Sequence, residues 1–277
     1  MRLPPLLFHM ELGVKFMNRL VVIKGGGDIA TGIAHRLFQS RVPIIITEIA
    51  EPTVVRRTVA FATAVTTGQI AVEGVAAKLV TPAKIMATLA EGCIPVVVDE
   101  LAACVAQFSP YAVIDAIIAK RNTGTKLADA PVVIGVGPGF TAGVDVHAVV
   151  ETMRGHELGR VMYQGQAIAN TGIPGEVGGY TLERLIKSPA DGIFIACRDI
   201  GDDLAVGEVV GHVGETVVRV AIAGVLRGLI QSGIKVTQGL KIGDVDPRCR
   251  REHCYSISDK ARAIGGGVLE ALLHLEG

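Results

Sequence analysis

A glycine-rich segment early in the sequence has residues that could bind a phosphate group. Residues 24–32 read KGGGDIATG and follow a short run rich in Val and Ile. Gly25, Gly26 and Gly27 let the backbone approach a pyrophosphate, and the N-terminus of a following helix offers free N–H groups. Glu48 lies 21 residues after Gly27, a separation typical of an acid that binds ribose hydroxyls. This pattern predicts a nucleotide- or pterin-type cofactor site.

Asp28 is assigned to the same candidate site, but it also supports a purely structural interpretation. Its carboxylate stands in the first turn of the predicted helix, where it competes with a phosphate for the same N–H groups. In that case the glycines only make a tight turn between a strand and a helix, and Asp28 caps the helix. The sequence leaves both interpretations open.

A second glycine loop follows a later apolar run, at a position where open α/β sheets bind ligands. Gly135, Gly137 and Gly139 belong to this loop and are included in the predicted cofactor site. Nearby acids, cations and amides would suit an anionic ligand, and they equally suit a solvated rim with turn glycines. These further candidates are Asp99, Glu100, Asp115, Lys120, Arg121, Asn122, Asp145 and residues 151–156.

The cysteines form no recognisable catalytic or metal-binding pattern. They number five and are scattered, which indicates a reducing compartment rather than a disulfide framework. Cys249, His253 and Cys254 fall short of a four-ligand zinc site. Neighbouring arginines would lower a thiol pKa, so a reactive cysteine and ordinary cysteines both remain open. No metal ligand and no catalytic residue is assigned.

Composition limits the classes of protein and partner. Of the 277 residues, 49% are hydrophobic and 19% are charged, which excludes a disordered chain. Lys and Arg together number 27, equal to Asp and Glu, so no nucleic-acid or membrane partner is expected. No run approaches the roughly 20 apolar residues of a membrane span. We therefore predict a cytoplasmic protein, with homo-oligomerisation left open.

Strands and helices that alternate along the first half of the sequence are expected to position the candidate residues. Runs rich in β-branched residues predict buried strands at 19–24, 43–48, 94–99 and 131–136. A helix is predicted over Asp28–Gln39, and such alternation favours a mostly parallel sheet covered on both faces. We predict a Rossmann-like α/β domain over residues 17–158, preceded by an N-terminal arm over residues 1–16.

An internal repeat in the second half predicts a different architecture. Residues 192–213 align without gaps on residues 224–245, a shift of 32 that superimposes four glycines. Apolar runs between glycine turns resemble the biotinyl/lipoyl type of barrel-sandwich hybrid, so we predict a β-rich domain of that kind over residues 159–247. In carrier domains of that type, a lysine between the halves holds the cofactor. Residues 214–218 contain no lysine, which disfavours a swinging-arm carrier.

The remaining residues, 248–277, predict a C-terminal helical segment. Ser258 is the expected N-cap, and apolar residues follow it at helical spacing. Three consecutive glycines at Gly265–Gly267 weaken such a helix by about 1 kcal/mol each. Close packing against another backbone is therefore the expected reason for these glycines.

Several of these segments together resemble the YqeB family of accessory proteins, which are encoded with selenium-dependent molybdenum hydroxylases. The resemblance extends from about residue 19 to the C-terminus, and its motifs are GGGDIATGIAHRL (25–37), TEIAEPTVVRRTVAF (47–61), AKRNTGT (119–125), GVGPGFTAGVDVHAVVETMRGHELGR (135–160), NTGIPGE (170–176) and KIGDVDPR (241–248).

The resemblance implies a function, a ligand and a partner. It implies a role in maturing a molybdenum hydroxylase or supplying its cofactor, with the hydroxylase as partner. The ligand would be molybdenum cofactor or a dinucleotide. The residues themselves leave two alternatives open. One is an NAD(P)-dependent oxidoreductase, and the other is a ligand-free scaffold of the hydroxylase.

Overall fold

The computed structural model describes residues 19–276, so the predicted arm over residues 1–16 lies outside the described residues. The fold is mixed α/β, with a large, mostly parallel sheet and additional antiparallel sheets. This confirms the predicted α/β class and the mostly parallel sheet. Within the described part of the chain, no helix is long and apolar enough to cross a membrane.

The first half contributes ten strands among the described residues, nine of them in one sheet. They are β1 (Val21–Lys24), β2 (Ile44–Glu48), β3 (Gln69–Val72), β4 (Val75–Leu79), β5 (Ile94–Val98), β6 (Ala112–Asp115), β7 (Val132–Val136), β8 (Thr141–Ala142), β9 (Ala148–Val150) and β10 (Val161–Met162). The sheet order is β10-β9-β7-β6-β1-β2-β5-β4-β3. Strand β8 pairs separately with β11 (Gly165–Gln166).

Strand β1 marks the point where the order of the sheet reverses. It pairs in parallel with β2 on one side and with β6 on the other. The outer strands β3 and β10 are antiparallel to their neighbours. Because ligands of open α/β sheets bind beside such a reversal, a ligand site is expected at the carboxyl ends of β1, β2 and β6.

Five α-helices are present among the described residues. They are α1 (Asp28–Gln39), α2 (Ala64–Thr67), α3 (Ile85–Ala90), α4 (Cys104–Phe108) and α5 (Asp259–Leu275). Short 3-10 helices lie at Arg57–Val59, Phe61–Thr63, Pro82–Lys84, Leu127–Asp129 and Arg251–Cys254. Helix α1 has the bounds predicted from the sequence.

The C-terminal helix α5 packs against α1 and joins the core of the large sheet. Ser258 is its N-cap, since the Ser258 hydroxyl accepts a hydrogen bond from the N–H of Ala261 at 3.2 Å. A Cβ atom at Gly265 would lie 2.9 Å from the carbonyl oxygen of Gly32 in α1, and one at Gly267 would overlap the carbonyl oxygen of Gly159. The predicted close packing is confirmed at these two glycines, whereas Gly266 faces open space.

The second half forms two four-stranded antiparallel sheets around a core of its own. Their strands are β12 (Leu185–Lys187), β13 (Gly192–Ala196), β14 (Asp203–Leu204), β15 (Val209–Val213), β16 (Thr216–Arg219), β17 (Gly224–Leu229), β18 (Lys235–Val236) and β19 (Lys241–Asp246). The sheet orders are β12-β19-β17-β14 and β16-β15-β13-β18.

The strand pairing confirms the internal repeat at the level of single residues. Phe194 pairs with Val213 between β13 and β15, and the residues 32 positions later, Leu226 and Val245, pair between β17 and β19. The halves also interlock, because β14 of the first half pairs with β17, and β18 of the second half pairs with β13. Strands β12 and β16 obey the same shift, so the repeat is longer than the glycine pattern indicates.

The division into domains stays a prediction. Strand β10 at Val161–Met162 is an edge strand of the large sheet, although the predicted boundary lies at residue 158. Helix α5 packs on the α/β part, while the 3-10 helix Arg251–Cys254 contacts β17. The C-terminal segment therefore touches both parts.

Candidate functional site

A cleft of about 480 Å³ is lined by residues of both the α/β part and the β-rich part. Its lining includes eight cationic side chains and only two carboxylates, which are Asp28 and Asp244. We call it the basic cleft. The cations are Arg56, Lys120, Arg154, Arg184, Lys187, Arg227, Lys241 and Lys260. Because the chain as a whole is neutral, this is a strong local concentration of positive charge.

Different elements bring these cations together. Lys120 lies in the loop after β6, at the carboxyl edge of the large sheet. Arg227 is in β17 and Lys241 begins β19, so both belong to the β-rich part. Lys260 is in the first turn of α5. The cleft therefore depends on the packing of three separate regions of the chain.

Arg56 is held rigidly in the cleft wall, with only 8% of its surface exposed. Its Nη2 donates to the carbonyl oxygens of His253 and Ser256 at 2.8 and 3.0 Å. Its Nη1 lies 3.4 Å from a carboxylate oxygen of Asp28. These contacts fix the guanidinium beside the N-terminus of α1, where Gly27 offers no capping side chain.

Arg184 and Arg227 are buried with incomplete hydrogen bonding. Arg184 pairs with Asp244 and also donates to the carbonyl oxygen of Gly175 at 3.2 Å. Arg227 lies 3.8 Å from a carboxylate oxygen of Asp246, too far for a hydrogen bond. The Nε atoms of both arginines are buried without an acceptor among residues 19–276. Burial lowers the pKa of Arg227, and the positive charge of Arg56 lowers it further.

Lys260 is a half-buried cation of the cleft with no hydrogen-bond acceptor in the described part of the chain. Burial lowers its pKa, which the Asp28 carboxylate partly opposes. The adjacent Asp259 is engaged elsewhere, because Arg154 donates two hydrogen bonds to it at 2.8 and 2.7 Å. Lys260 is therefore available to an anion that enters the cleft.

Asp246 is a buried carboxylate whose negative charge compensates nearby cations, Arg227 and Arg248. It is 1% exposed and accepts hydrogen bonds from Arg248 Nε at 2.9 Å and Nη2 at 2.7 Å. Although burial opposes its ionisation, these bonds and the charges of Arg248 and Arg227 lower the pKa of Asp246 to about 2. The charged carboxylate stabilises this side of the cleft.

The first predicted glycine loop lies beside a different cavity, the glycine-loop crevice, of about 180 Å³. Its residues are Gly25, Gly27, Thr47, Glu48, Ile49, Thr53, Val54, Asp99, Glu100, Ala116 and Ile117. Its three ionisable side chains are all carboxylates. Such a lining suits hydroxyl groups better than a phosphate.

The glycines of this loop are packed against other backbone. A Cβ atom at Gly26 would lie 2.8 Å from the nitrogen of Ala62, and one at Gly25 would lie 3.1 Å from Cα of Ile117. The Glu48 carboxylate accepts hydrogen bonds from the N–H groups of Gly26 at 2.8 Å and Ile49 at 2.9 Å. Burial nevertheless raises the pKa of Glu48. The predicted cofactor role of Gly25, Gly26, Gly27 and Glu48 stays a prediction.

The second glycine loop is also tightly packed. Cβ atoms at Gly135, Gly137 and Gly139 would lie 2.5 Å from the Phe140 ring, 2.8 Å from Thr152 Oγ1 and 2.6 Å from Arg121 Cα, respectively. Pro138, between two of these glycines, does line the basic cleft. The role predicted for these three glycines likewise stays a prediction.

The other polar candidates separate into two groups. Lys120, Thr152, Met153 and Arg154 line the basic cleft. Asp115 instead is buried, accepting from the Thr125 hydroxyl at 2.6 Å, and Lys24 donates to that hydroxyl at 2.7 Å. Backbone N–H groups donate to Asp99, Asp145 and Glu151, and Glu100 lines the glycine-loop crevice.

The cysteine-bearing segment shows no metal-binding arrangement in residues 19–276, where no group of three His, Cys, Asp or Glu side chains could hold an ion. Cys254 is buried, and burial raises the pKa of its thiol in spite of the nearby arginines. Cys249 is exposed.

Sequence reasoning missed half of the cleft. Its cations from the β-rich part and from α5 were not among the predicted site residues, namely Arg184, Lys187, Arg227, Lys241 and Lys260. One signal was present in the sequence, because segments 170–176 and 241–248, which carry the YqeB resemblance, both contribute residues to the cleft.

The fold defines a mixed α/β protein with a large, mostly parallel sheet, and a cleft lined by cations lies between its two parts. No known protein-family model matches the sequence. The chain is 49% identical over 259 residues to "Uncharacterized protein YqeB" of Escherichia coli (strain K12), covering 93% of this chain and 48% of that protein. This identity supports the YqeB-family resemblance. The chain spans about half the length of the curated relative that it matches.

Similar solved structures are distant. A succinylglutamate desuccinylase/aspartoacylase from Rhodobacter sphaeroides is 17% identical, over 31% of this chain and 30% of that one, with a TM-score of 0.21. The ectoine utilization protein EutE (DoeB) from Ruegeria pomeroyi is 14% identical over 82% and 57%, with a TM-score of 0.23. An aspartoacylase family protein from Mesorhizobium loti is 12% identical over 82% and 83%, with a TM-score of 0.25. These scores are too low to carry an argument about function.

Proposed function

We propose that this protein is an accessory protein that binds a phosphate-bearing cofactor of the pterin or nucleotide type in the basic cleft. The single observation that carries the proposal is the excess of cations there, eight against two carboxylates. Lys and Arg are the side chains that recognise phosphate groups. Arg227 and Lys260 both line the cleft, where their cationic groups could pair with such a ligand.

The molybdenum-hydroxylase role is part of this proposal. It is supported by the resemblance to the YqeB family and by the 49% identity to a relative that is itself uncharacterized. A pterin cofactor and its dinucleotide form both carry phosphate, so they fit the donors present in the cleft. Delivery would take place in the cytoplasm, to a selenium-dependent molybdenum hydroxylase as partner.

The architecture supports the proposal at a coarser level. The order β5-β2-β1-β6-β7-β9 corresponds to the strand order of Rossmann-like domains, which bind nucleotides at the reversal. The interlocked repeat of the β-rich part supports a barrel-sandwich-like domain. In this arrangement the β-rich part contributes cationic side chains to the cleft instead of a swinging lysine.

The first test compares binding of guanosine triphosphate (GTP) by Lys260→Glu and by Lys84→Glu, at constant ionic strength because salt screens these charges. Glu is favourable in the first turn of a helix, so the Lys260→Glu variant should fold. Lys84 is exposed and outside the cleft, which makes it a matched control. We expect Lys260→Glu to weaken binding about tenfold or more, and Lys84→Glu to change it less than about twofold.

Either of two results would refute the binding proposal. One is wild-type protein that binds no GTP at millimolar concentration, and the other is equal weakening in both variants. Mass spectrometry of small molecules released from protein purified without oxygen then tests the cofactor itself. A pterin or pterin dinucleotide would support the accessory role directly.

An NAD(P)-dependent oxidoreductase is the second candidate, favoured by the position of Glu48 at the end of β2 beside the glycine-loop crevice. It places the cofactor in the crevice rather than the basic cleft. Millimolar NAD(H) or NADP(H) should then raise the melting temperature, and Gly27→Asp should abolish that shift. A ligand-free scaffold predicts no shift with any of these ligands.

A further inference from the structure

One part of the basic cleft is apolar and irregular. Residues 168–175 form no helix or strand, and we call this segment the apolar arc. Ile168 and Ile173 of the arc both line the cleft, with 50% and 59% of their surfaces exposed. An apolar patch exposed within a cleft is a feature of ligand-binding grooves.

The arc is hydrogen-bonded to distant residues at its two ends. The N–H of Ile168 donates to Glu151 Oε2 at 2.7 Å. At the other end the carbonyl oxygen of Gly175 accepts from Arg184, and a Cβ atom at Gly175 would lie 2.7 Å from the Arg154 side chain. Between these points the hydrogen bond of Ile173 is local, from its N–H to Thr171 Oγ1 at 3.2 Å.

Another apolar residue that lines the cleft, Ile118, is held in a costly backbone conformation. Ile118 has φ of 59°, in the left-handed region that β-branched residues strongly disfavour. Lys120, two residues later, has φ of 63° and also lines the cleft. The loop after β6 thus presents an apolar and a cationic side chain to the same cavity. Strained residues of this kind gather where a ligand is bound.

We infer that Ile168 and Ile173 contact an uncharged ring system of the ligand, while the cations bind its phosphates. This inference rests on the proposed function and specifies its ligand as a phosphorylated heterocycle. An inorganic polyphosphate would leave the apolar arc exposed to water, whereas a flat ring would cover both isoleucines. Ile29, Met153 and Leu185 line the same cleft and extend its apolar surface.

Two ligands with the same number of phosphates provide the test. GTP and inorganic tripolyphosphate both carry three phosphates, but only GTP carries a ring system. By isothermal titration calorimetry, we expect wild-type protein to bind GTP about tenfold more tightly or better. The double variant Ile168→Ser/Ile173→Ser should lose this preference and still bind tripolyphosphate within about twofold of wild type.

Ile193→Ser is the matched control, because Ile193 is 46% exposed on β13 and lies outside the cleft. It should leave both affinities unchanged. Equal binding of GTP and tripolyphosphate by wild type would overturn the inference and leave the proposed function standing. Equal weakening of both ligands in the double variant would also overturn it. If neither ligand binds, the proposed function fails, and the inference fails with it.

Discussion

Two cavities adjoin the first turn of α1, and they differ in volume and in the sign of their charged side chains. Gly27 lines the glycine-loop crevice, while the next residue, Asp28, lines the basic cleft. The crevice measures about 180 Å³ with carboxylates as its ionisable groups, and the cleft measures about 480 Å³ with eight cations. The motif that predicts phosphate binding thus faces the acidic cavity, and the positive charge collects in its neighbour.

The two cavities also differ in how their charges are satisfied. In the crevice, Glu48 accepts from two backbone N–H groups, and Asp99 accepts from those of Ala103 and Cys104. In the cleft several cations are paired as well, such as Arg154 with Asp259, but the Nε of Arg227 has no acceptor within the described chain and lies 3.8 Å from a carboxylate oxygen of Asp246. A site whose polar groups are already paired gains little from a ligand, whereas unpaired cations gain a great deal. The difference in lining favours the basic cleft over the glycine-loop crevice as the site proposed for an anionic ligand.

The largest expected effect concerns the packing role of the crevice glycines. Gly26→Ala should lower the free energy of unfolding by about 3 kcal/mol, because its Cβ would overlap the backbone of Ala62. Gly27→Ala is the control, since its Cβ would lie 3.8 Å from the nearest atom, a Val54 methyl. It should cost less than about 1 kcal/mol. Urea denaturation measures both, and equal costs would contradict the packing role assigned to Gly26.

The next effect concerns the buried carboxylate that supports the cleft. Asp246→Asn should lower the free energy of unfolding by about 2 kcal/mol at pH 7, given a pKa near 2 in the folded protein and near 3.8 in the unfolded chain. Because the folded pKa is depressed, this stabilisation is complete above the unfolded pKa. It is lost as the pH falls toward 2, and about half of it should be gone by pH 3.

Asp203→Asn is the matched control for that measurement. Asp203 pairs with Arg251 at 2.7 Å, but its side chain is 72% exposed, so solvent screens the pair. We expect a change below about 1 kcal/mol at any pH. If Asp246→Asn behaves like Asp203→Asn, the cations of the cleft do not depend on this carboxylate.

Local sequence patterns were sufficient for four of the nine strands of the large sheet and for helices α1 and α5, whereas β3, β4, β6, β9 and β10 were not predicted. The apolar periodicity of Asp28–Gln39 and the Ser258 cap each involve residues close together in the chain, and both α1 and α5 begin as predicted. The repeat could also be predicted from the sequence, because glycine turns at matching positions produce the same strand pairing in both halves. Each of these features depends either on residues close together in the chain or on a repeat with a constant spacing of 32 residues.

The basic cleft could not be predicted from local sequence patterns. Arg56, Arg227 and Lys260 come from three regions of the chain, and an isolated Arg or Lys reads as a solvated surface residue. Their meeting depends on α5 packing on α1 and on the β-rich part packing beside the large sheet. The glycine loop, in contrast, could be recognised in the sequence. Its residues are contiguous, but whether they bind a ligand or pack on Ala62 depends on a segment far along the chain.

The smallest expected effect separates the two cavities most cleanly. Glu48→Gln removes one of the three carboxylates of the crevice and leaves the basic cleft untouched, so GTP affinity should stay within about twofold of wild type. The free energy of unfolding should change by less than about 1 kcal/mol, because a lost hydrogen bond is offset by removal of a partly buried charge. A larger loss of GTP affinity would mean that the two cavities hold one ligand between them.

The pH dependence of the same variant checks the electrostatic part of the argument. Burial raises the pKa of Glu48 in the folded protein, so the charged form weakens folding above that pKa, and protonation restores stability as the pH falls. Wild type should therefore gain stability relative to Glu48→Gln as the pH falls from 7 toward the ordinary glutamate pKa of about 4.5. If wild type loses stability over that range, the hydrogen bonds from Gly26 and Ile49 outweigh burial, and the crevice is a better anion-bearing site than its lining indicates.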